Sequence, residues 1–388
     1  MLHAQTESET TLTEWRHHLH RHPETGFQER YTADFVAKRL SEFGVEVHRG
    51  IGGTGLIGVL RRGRSGRTIG IRADMDALPM HERAENRPHR SQQAGRMHAC
   101  GHDGHMAMVL GAARLLSAET FDGTVQFVFQ PAEEHGKGAR AMIDDGLLSR
   151  FPMEEIYGMH NMPGLPEGRI GTRPGGIMAA EDNFTISVEG RGTHSARPHM
   201  GRDPLVAGAE LVLALQTIVA RTVDPADSAV VSVTGFSTDG LRNAIPSNAT
   251  ITGDTRSYSP LVQQLLEKRM EEIVGGICDA HGVSGNLRYT HEFRPTINPD
   301  EYVAYAAEAA AKVVGASQVD TATPPLLASE DFGTFLEHIP GNFAFIGNGV
   351  EEQDGGAPLH SANYDFNDRI LPIGARYFAT VALDRLRA

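Results

Sequence analysis

The stretch Met97-His98-Ala99-Cys100-Gly101-His102-Asp103-Gly104-His105 constrains this chain more than any other. It sets imidazoles at 98, 102 and 105 beside one thiol and one carboxylate, with glycines at 101 and 104 that let the backbone turn so the side chains converge. Cysteine and histidine hold zinc-like ions, and a Cys-x-His pair supplies two ligands from one turn of chain. A single surface histidine or buried core cysteine would be ordinary. Their clustering favours ligation. Residues 106–116 are rich in Ala, Leu and Met and broken only by Gly111, so the cluster lies on a loop that opens a helix.

The length of 388 residues suggests two or three domains. With 36 basic against 49 acidic residues and a net charge of -13, nucleic acid and anionic membrane are poor partners, which leaves a small molecule. Cys100 and Cys278 are the two cysteines, too few for a disulfide framework and consistent with a reducing compartment. Residues 1–16 are polar and acidic without the apolar run of a signal peptide, and Glu210 and Gln216 interrupt the apolar stretch 205–220. These features predict a cytoplasmic protein with no bilayer span.

Taken in order, residues 11–21 and 31–43 carry helical spacing, with the breaker His-Pro-Glu-Thr-Gly at 22–26 between them. Gly50, Gly52 and Gly55 match the G-x-G-x-x-G spacing of a dinucleotide loop. That loop must open a helix, whereas 56–60 is β-rich, so turn and strand punctuation is the better account. The strand 68–71 runs into Arg72-Ala73-Asp74-Met75-Asp76, which puts carboxylates at the carboxyl end of a strand, where α/β sheets place their sites. The alternative makes Asp74 and Asp76 turn-formers before Pro79. The strand 123–130 stops at Pro131, followed by Glu133 and Glu134. In a loop one of these can reach a metal while the other faces substrate, giving ligand and base; as a bland alternative they are solvated glutamates before a helix. The strand 155–159 is expected to end in His160 and Asn161. Three strand ends thus deliver Asp, Glu and His.

From about residue 180 the pattern becomes strand, helix, strand, strand, helix, strand, ending with 286–291, an α+β sandwich inserted into the first domain. The expected domains are 1–181, 182–292 and 293–388, the last completing the first. Within it, 342–346 reads as a strand, 347–356 as a flexible loop, and Leu359-His360-Ser361 precedes a final helix from about Leu371.

Several ordered motifs now carry a resemblance. Arg-Ala-Asp-Met-Asp-Ala-Leu-Pro at 72–79, Cys-Gly-His-Asp-Gly-His at 100–105, Gln-Pro-Ala-Glu-Glu at 130–134 and Met-His-Asn-Met-Pro-Gly-Leu-Pro at 159–166 are among them. With Pro-His-Met-Gly-Arg-Asp-Pro at 198–204 and Leu-His-Ser-Ala-Asn-Tyr-Asp-Phe-Asn-Asp at 359–368, the chain resembles the hippurate hydrolase, aminoacylase and auxin-conjugate hydrolase family of metallopeptidases. The resemblance runs from Arg16-His17-His18-Leu19-His20 to the last helix. It implies an α/β, zinc-peptidase-like catalytic domain, a mixed sheet flanked by helices, with an inserted ferredoxin-like domain for dimerisation and as a lid. It implies two divalent ions per subunit, zinc, manganese, cobalt or nickel, held by Cys100, His102, Glu134, His160 and His360. Cys100 would bridge them as a thiolate, with a hydroxide between the ions. Glu133 would be the general base, Asp74 or Asp76 would orient ligands, and His194 would donate to the oxyanion across a homodimer. Asn248 and Arg256 match positions that bind the substrate's α-carboxylate. Relatives commonly carry Gly and Ala where Thr193 and Ser195 stand, so the acyl pocket is expected to differ.

The expected activity is hydrolysis of an N-acyl amino acid to a carboxylic acid and a free amino acid. A dipeptidase or carboxypeptidase of the same family is the first alternative, and a non-catalytic metal-binding protein the second; Glu133 speaks against the latter, because a storage site needs no base. A zinc deaminase lacks its Pro-Cys-x-x-Cys ligand pair here.

Overall fold

The computed structural model describes residues 5–387, so the first four residues of the stretch read for targeting lie outside it. The chain divides into two compact units, Met1–Ile177 with Ile297–Pro324 and Asp331–Ala388, and Met178–Thr296 with Pro325–Glu330.

The first unit opens with α1 (Gln5–Arg21) and α2 (Arg30–Glu42), followed by β1 (Glu46–Ile51), β2 (Gly55–Arg62) and β3 (Thr68–Asp74). Helix α3 (His102–Ser117), β4 (Gly123–Gln130), α4 (Gly138–Asp144), β5 (Glu155–Pro163) and β6 (Ile170–Gly171) come next. The second unit contributes β7 (Ala180–Glu189), α5 (Pro204–Arg221), β8 (Ala229–Thr238), β9 (Asn248–Ser257), α6 (Pro260–His281) and β10 (Ser284–Phe293). The chain then returns to the first unit as α7 (Asp300–Val314), β11 (Val319–Asp320), β12 (Gly341–Gly349) and α8 (Leu371–Arg385).

The sheet of the first unit has the order β1-β2-β4-β3-β5-β12-β6-β11. Its centre, β4-β3-β5-β12, is parallel, and β1 and β2 extend it antiparallel. Strands β4 and β12 are buried along their whole length, which accounts for runs such as Phe127 to Phe129 and Phe343 to Ile346 that do not alternate with polar residues. Gly50 and Gly52, at φ +76° and +67°, serve the β1–β2 hairpin and open no helix. Helix α3 is buried from His102 to Ala113, packed between the sheet and helices α1 and α8. A Cβ at Gly111 would lie 2.8 Å from the Ala375 side chain and 2.9 Å from that of Leu12, so glycine sets the approach of α3 to α8 and α1.

Two local expectations need correction. His160 and Asn161 do not cap a strand end, because β5 continues to Pro163 and His160 lies inside it, in register with Phe345 of β12. Residues 347–349 are buried strand rather than flexible loop, since β12 runs to Gly349 beside the extended β5.

In the second unit the strands lie β8-β9-β7-β10, all antiparallel, the ferredoxin-like order for a β-α-β-β-α-β chain. Asp203 and Ser259 cap α5 and α6 by accepting the amides of Leu205 and Leu261, and a proline follows each at the first helical position. By length and composition alone α5 is apolar enough to cross a membrane, which corrects the reading that Glu210 and Gln216 disqualify it. Its stripe Ala207, Leu211, Leu215 and Ile218 is packed in the unit's own core, as in an ordinary amphipathic core helix.

A buried charge cluster ties α1 to the start of α3 and to the segment before α8. Arg16, fully buried, reaches Asp365 and Asp368 at 2.8 Å each and Asp103 at 3.6 Å. Burial alone would raise the Asp103 and Asp365 carboxyls, but His20, His89 and Arg16 hold both well below the ordinary carboxylate range. Their stabilisation is complete above the unfolded value of about 4 and is lost as pH falls through the lowered folded values. Arg16→Ala leaves buried Asp103 with His20 and half-buried Asp365 and Asp368 with Arg87, His89 and His17, and is expected to cost about 3 kcal/mol. Urea unfolding at pH 7 measures that loss, and the same titration below pH 4 should show wild-type stability falling toward that of the variant.

Candidate metal centre

Residues from four segments of the first unit converge. Gly101 turns the chain between Cys100 and His102 at φ +96°, and a Cβ there would stand 2.2 Å from Asn161 Oδ1. The next residue begins α3, so the Cys100 and His102 side chains sit one turn of chain apart at a helix start. His360, itself in the left-handed region at φ 59°, donates its amide proton to the Ala99 carbonyl at 2.8 Å. That bond holds the His360 loop beside Cys100. Pro131 ends β4, Ala132 turns left-handed, and Glu133 and Glu134 begin a single 3₁₀ turn.

Cys100 Sγ lies 3.4 Å from His160 Nε2. The ligand atoms of Cys100, His102 and His160 lie within 4.8 Å of one another, as do those of Cys100, Glu134 and His360. Cys100 therefore belongs to two triads that share no other member. His102, Glu133 and Glu134 form a further group of the same span.

The donor atoms are oriented for cations. His160 Nδ1 donates to the Asn161 carbonyl at 2.7 Å, which leaves Nε2 with its lone pair facing Cys100. His102 Nδ1 donates to the Asp76 carbonyl at 2.8 Å, and His102 Nε2 is buried with no hydrogen bond. Glu134 Oε1 is likewise buried without a hydrogen bond, 3.4 Å from His360 Nε2 and 4.0 Å from His102 Nε2. Polar atoms are rarely left orphaned in a native interior. A cysteine sulfur, imidazole nitrogens and a carboxylate, with His102 Nε2 and Glu134 Oε1 orphaned and converging, fit divalent transition ions.

The electrostatics agree. Burial lowers the His102 imidazolium, yet Asp74, Asp76 and Glu134 outweigh it and push its pKa up to about 10. The same surplus of carboxylate charge favours a cation at this position. Burial and then His105 push His160 well down, so its ring is neutral. For Asp74, burial opposes ionisation, but His102, Arg72 and His105 hold the carboxyl well below its ordinary range.

Asp74 and Asp76 have distinct partners. Asp76 accepts the amides of Glu133 and Glu134 at 3.1 Å each, whereas Asp74 binds His105 Nδ1 and Arg72 Nη1 at 2.7 Å each. His105 and Arg72 carried no assigned role in the sequence reading. His105 stands three residues after His102 on α3, and that helical spacing was the available signal.

His194, Asn248 and Arg256 belong to the second unit. His194 is exposed, and its Nδ1 accepts the Ala196 amide at 3.1 Å. Asn248 donates to Asp239 at 2.7 Å. Arg256 is engaged by Glu181 at 2.7 Å, Asp254 at 2.9 Å and Ser329 at 2.7 Å.

A mixed α/β unit carrying two Cys-centred triads and a neighbouring glutamate defines a metal-dependent hydrolase. Comparison with known proteins specifies which: residues 70–384 match the model of Peptidase family M20/M25/M40, and the chain belongs to that family. It is 41% identical over 372 residues to a hippurate hydrolase of Campylobacter jejuni, covering 96% of each chain. It is 36% identical to an N-acetyl-L-cysteine deacetylase of Bacillus subtilis, covering 96% of this chain and 87% of the relative. Among solved structures it is similar to the Bacillus subtilis YXEP protein, a dinuclear metal-binding peptidase of the M20 family, at 32% identity, TM-score 0.87 and 99% coverage of both chains.

Because His102 carries a proton that a metal would displace, and Cys100 must ionise to ligate, titrating metal-stripped protein with a divalent ion is expected to release protons at pH 7. Calorimetry in buffers of different ionisation enthalpy reads that release. His102→Ala should lower metal affinity by at least about tenfold, and unchanged affinity contradicts the assignment.

Proposed function

We propose that the chain hydrolyses the amide bond of N-acyl amino acids, holding two divalent ions with Cys100, His102, Glu134, His160 and His360. The observation that carries this reading is the split between the adjacent glutamates. Glu134 Oε1 is an orphaned oxygen that completes a triad with Cys100 and His360, whereas Glu133, its Oε2 3.9 Å from His102 Nε2, joins no triad with Cys100 among the described residues. The hippurate hydrolase and N-acetylcysteine deacetylase relatives support an acyl amide as substrate.

When bound, the ions supply Lewis-acid polarisation of the amide carbonyl. Glu133, mostly buried at 6% exposure, takes a proton from the attacking water and passes it to the leaving amine nitrogen, so one carboxyl serves first as base and then as acid. Asp76 fixes the backbone of both glutamates, and Asp74 fixes His105. His194, whose Nδ1 accepts the hydrogen bond of the Ala196 amide, presents Nε2–H and is the donor proposed for the oxyanion of a neighbouring subunit. Asn248 and Arg256 are proposed to meet the substrate carboxylate; for Arg256 this exchanges Glu181 or Asp254 for the substrate.

The second unit is proposed as the homodimer surface. It exposes Leu205, Val206, Leu213, Phe236 and Leu241, with Leu213 73% exposed. Sedimentation is expected to give a dimer for the wild type and a monomer for Leu213→Glu; a wild-type monomer contradicts the assignment.

Glu133→Ala should retain both ions and lose turnover by about 10²–10⁴-fold. The assay is release of benzoate or acetate from a panel of N-acyl amino acids, with simple dipeptides alongside. Full turnover by the variant would end the mechanism, and a large preference for dipeptides would replace the substrate class.

A further inference from the structure

The turn that presents the two glutamates is held from outside the centre. Ala132, just before them, adopts φ 49° and ψ 43°, a left-handed conformation that side chains other than glycine seldom take. Among the described residues only Phe27, Ala132 and His360 are non-glycine residues with positive φ. Such strain persists only where surrounding contacts over-determine it.

Those contacts are specific. The amides of Ala132, Glu133 and Glu134 are three successive donors, and each is met by a carboxylate oxygen. Glu29 Oε1 accepts from Ala132 at 2.9 Å, and Asp76 Oδ1 and Oδ2 accept from Glu133 and Glu134 at 3.1 Å each. Glu29 is fully buried, and its second oxygen accepts from the Thr54 hydroxyl in the β1–β2 turn. Among the described residues its two oxygens are met by the hydroxyl and the amide that they position. Gly26, in the same loop, packs so closely on this turn that a Cβ would stand 3.0 Å from that of Ala132 and 2.7 Å from His135 Nδ1.

From this arrangement we infer that Glu29 is a positioning residue for the Glu133–Glu134 pair. It acts through Ala132, and the inference rests on the reading of Glu133 as base and Glu134 as ligand. Asp76 alone fixes the two amides that follow Ala132, but it does not set the direction from which the chain enters the turn. Glu29 sets it by holding the Ala132 amide. Without Glu29, Ala132 relaxes toward the right-handed region and both glutamate side chains swing from their places. The breaker at 22–26 and the loop after it, which the hydrolytic reading leaves without a role, thereby gain one.

The test is a cycle of Glu29→Ala, Ala132→Gly and the double variant, with Glu29→Gln beside them. Kinetics on the best substrate of the N-acyl panel give kcat and KM separately, and hydrogen exchange reports the amides of 131–136. Glu29→Ala is expected to lower kcat by about tenfold or more at a KM within about threefold, and to speed exchange in that segment. Ala132→Gly alone should stay within about threefold of wild type. Because glycine adopts the left-handed turn without strain, the double variant should recover at least about half of the lost kcat on a logarithmic scale. A merely structural contribution of Glu29 would show no such rescue.

Glu29→Gln keeps a carbonyl for the Ala132 amide and should remain within about fivefold of wild type; a larger loss overturns the inference, and this variant decides if Glu29→Ala does not fold. Absence of rescue, or wild-type kcat with unchanged exchange in Glu29→Ala, also overturns it. Should Glu133→Ala retain turnover, the reading of the base fails; should Glu133→Ala be inactive while Glu29→Ala is unimpaired, the positioning role alone fails.

Discussion

Asp76 accepts the amide protons of Glu133 and Glu134 through its two carboxylate oxygens, while its own backbone carbonyl takes the Nδ1 proton of His102. One residue just past β3 thereby fixes the ring orientation of one proposed ligand and the backbone of another, together with the base between them. The carboxylate is 1% exposed, so its hydrogen bonds stand in a low-dielectric setting where leaving either oxygen unpaired would be costly. Parallel pairing of β3 with β4 carries the constraint further, because Asp74 and Gln130 are in register and the residues after both emerge together. The sheet places the two loops side by side, and Asp76 locks them.

Such a concentration of carboxylates is unfavourable by itself. Asp74, Asp76 and Glu133 are all buried, and Arg72 is the buried cation held against Asp74 at 2.7 Å. The imbalance is what raises His102 and what a pair of divalent ions would relieve. Behind the centre, Arg16 offsets Asp103, the residue after His102, and Asp365 and Asp368 on the His360 side. The same guanidinium thus braces two of the four segments that supply proposed ligands, which gives the opening helix a role beyond core packing.

Much of this was legible in the residues. The strand 123–130 and the order of elements in the insertion follow from hydrophobic spacing and from Pro and Gly punctuation, and β4 and the ferredoxin-like sheet show them. The placing of Asp74 and Asp76 at the end of β3, and of Glu133 and Glu134 just past β4, followed from the position of sites in α/β sheets. His160 escaped that logic. It lies inside β5, whose extension to Pro163 depends on pairing with β12, a contact between residues far apart in sequence. The partners of Asp74 and Asp76, and the left-handed Ala132, depend likewise on which loops become neighbours. The cluster at 97–105 included His105, but only its bond to Asp74 shows what it does.

The account stands on two cations shared through one sulfur. A crystal structure of metal-loaded protein, with anomalous differences collected at the metal edge, tests this most directly. The account predicts two peaks about 3.5–4 Å apart, both in contact with Cys100 Sγ, one also touching His102 and His160 and the other Glu134 and His360, with Glu133 bound to neither. A single peak, or peaks coordinated by other residues with Cys100 uninvolved, would contradict it.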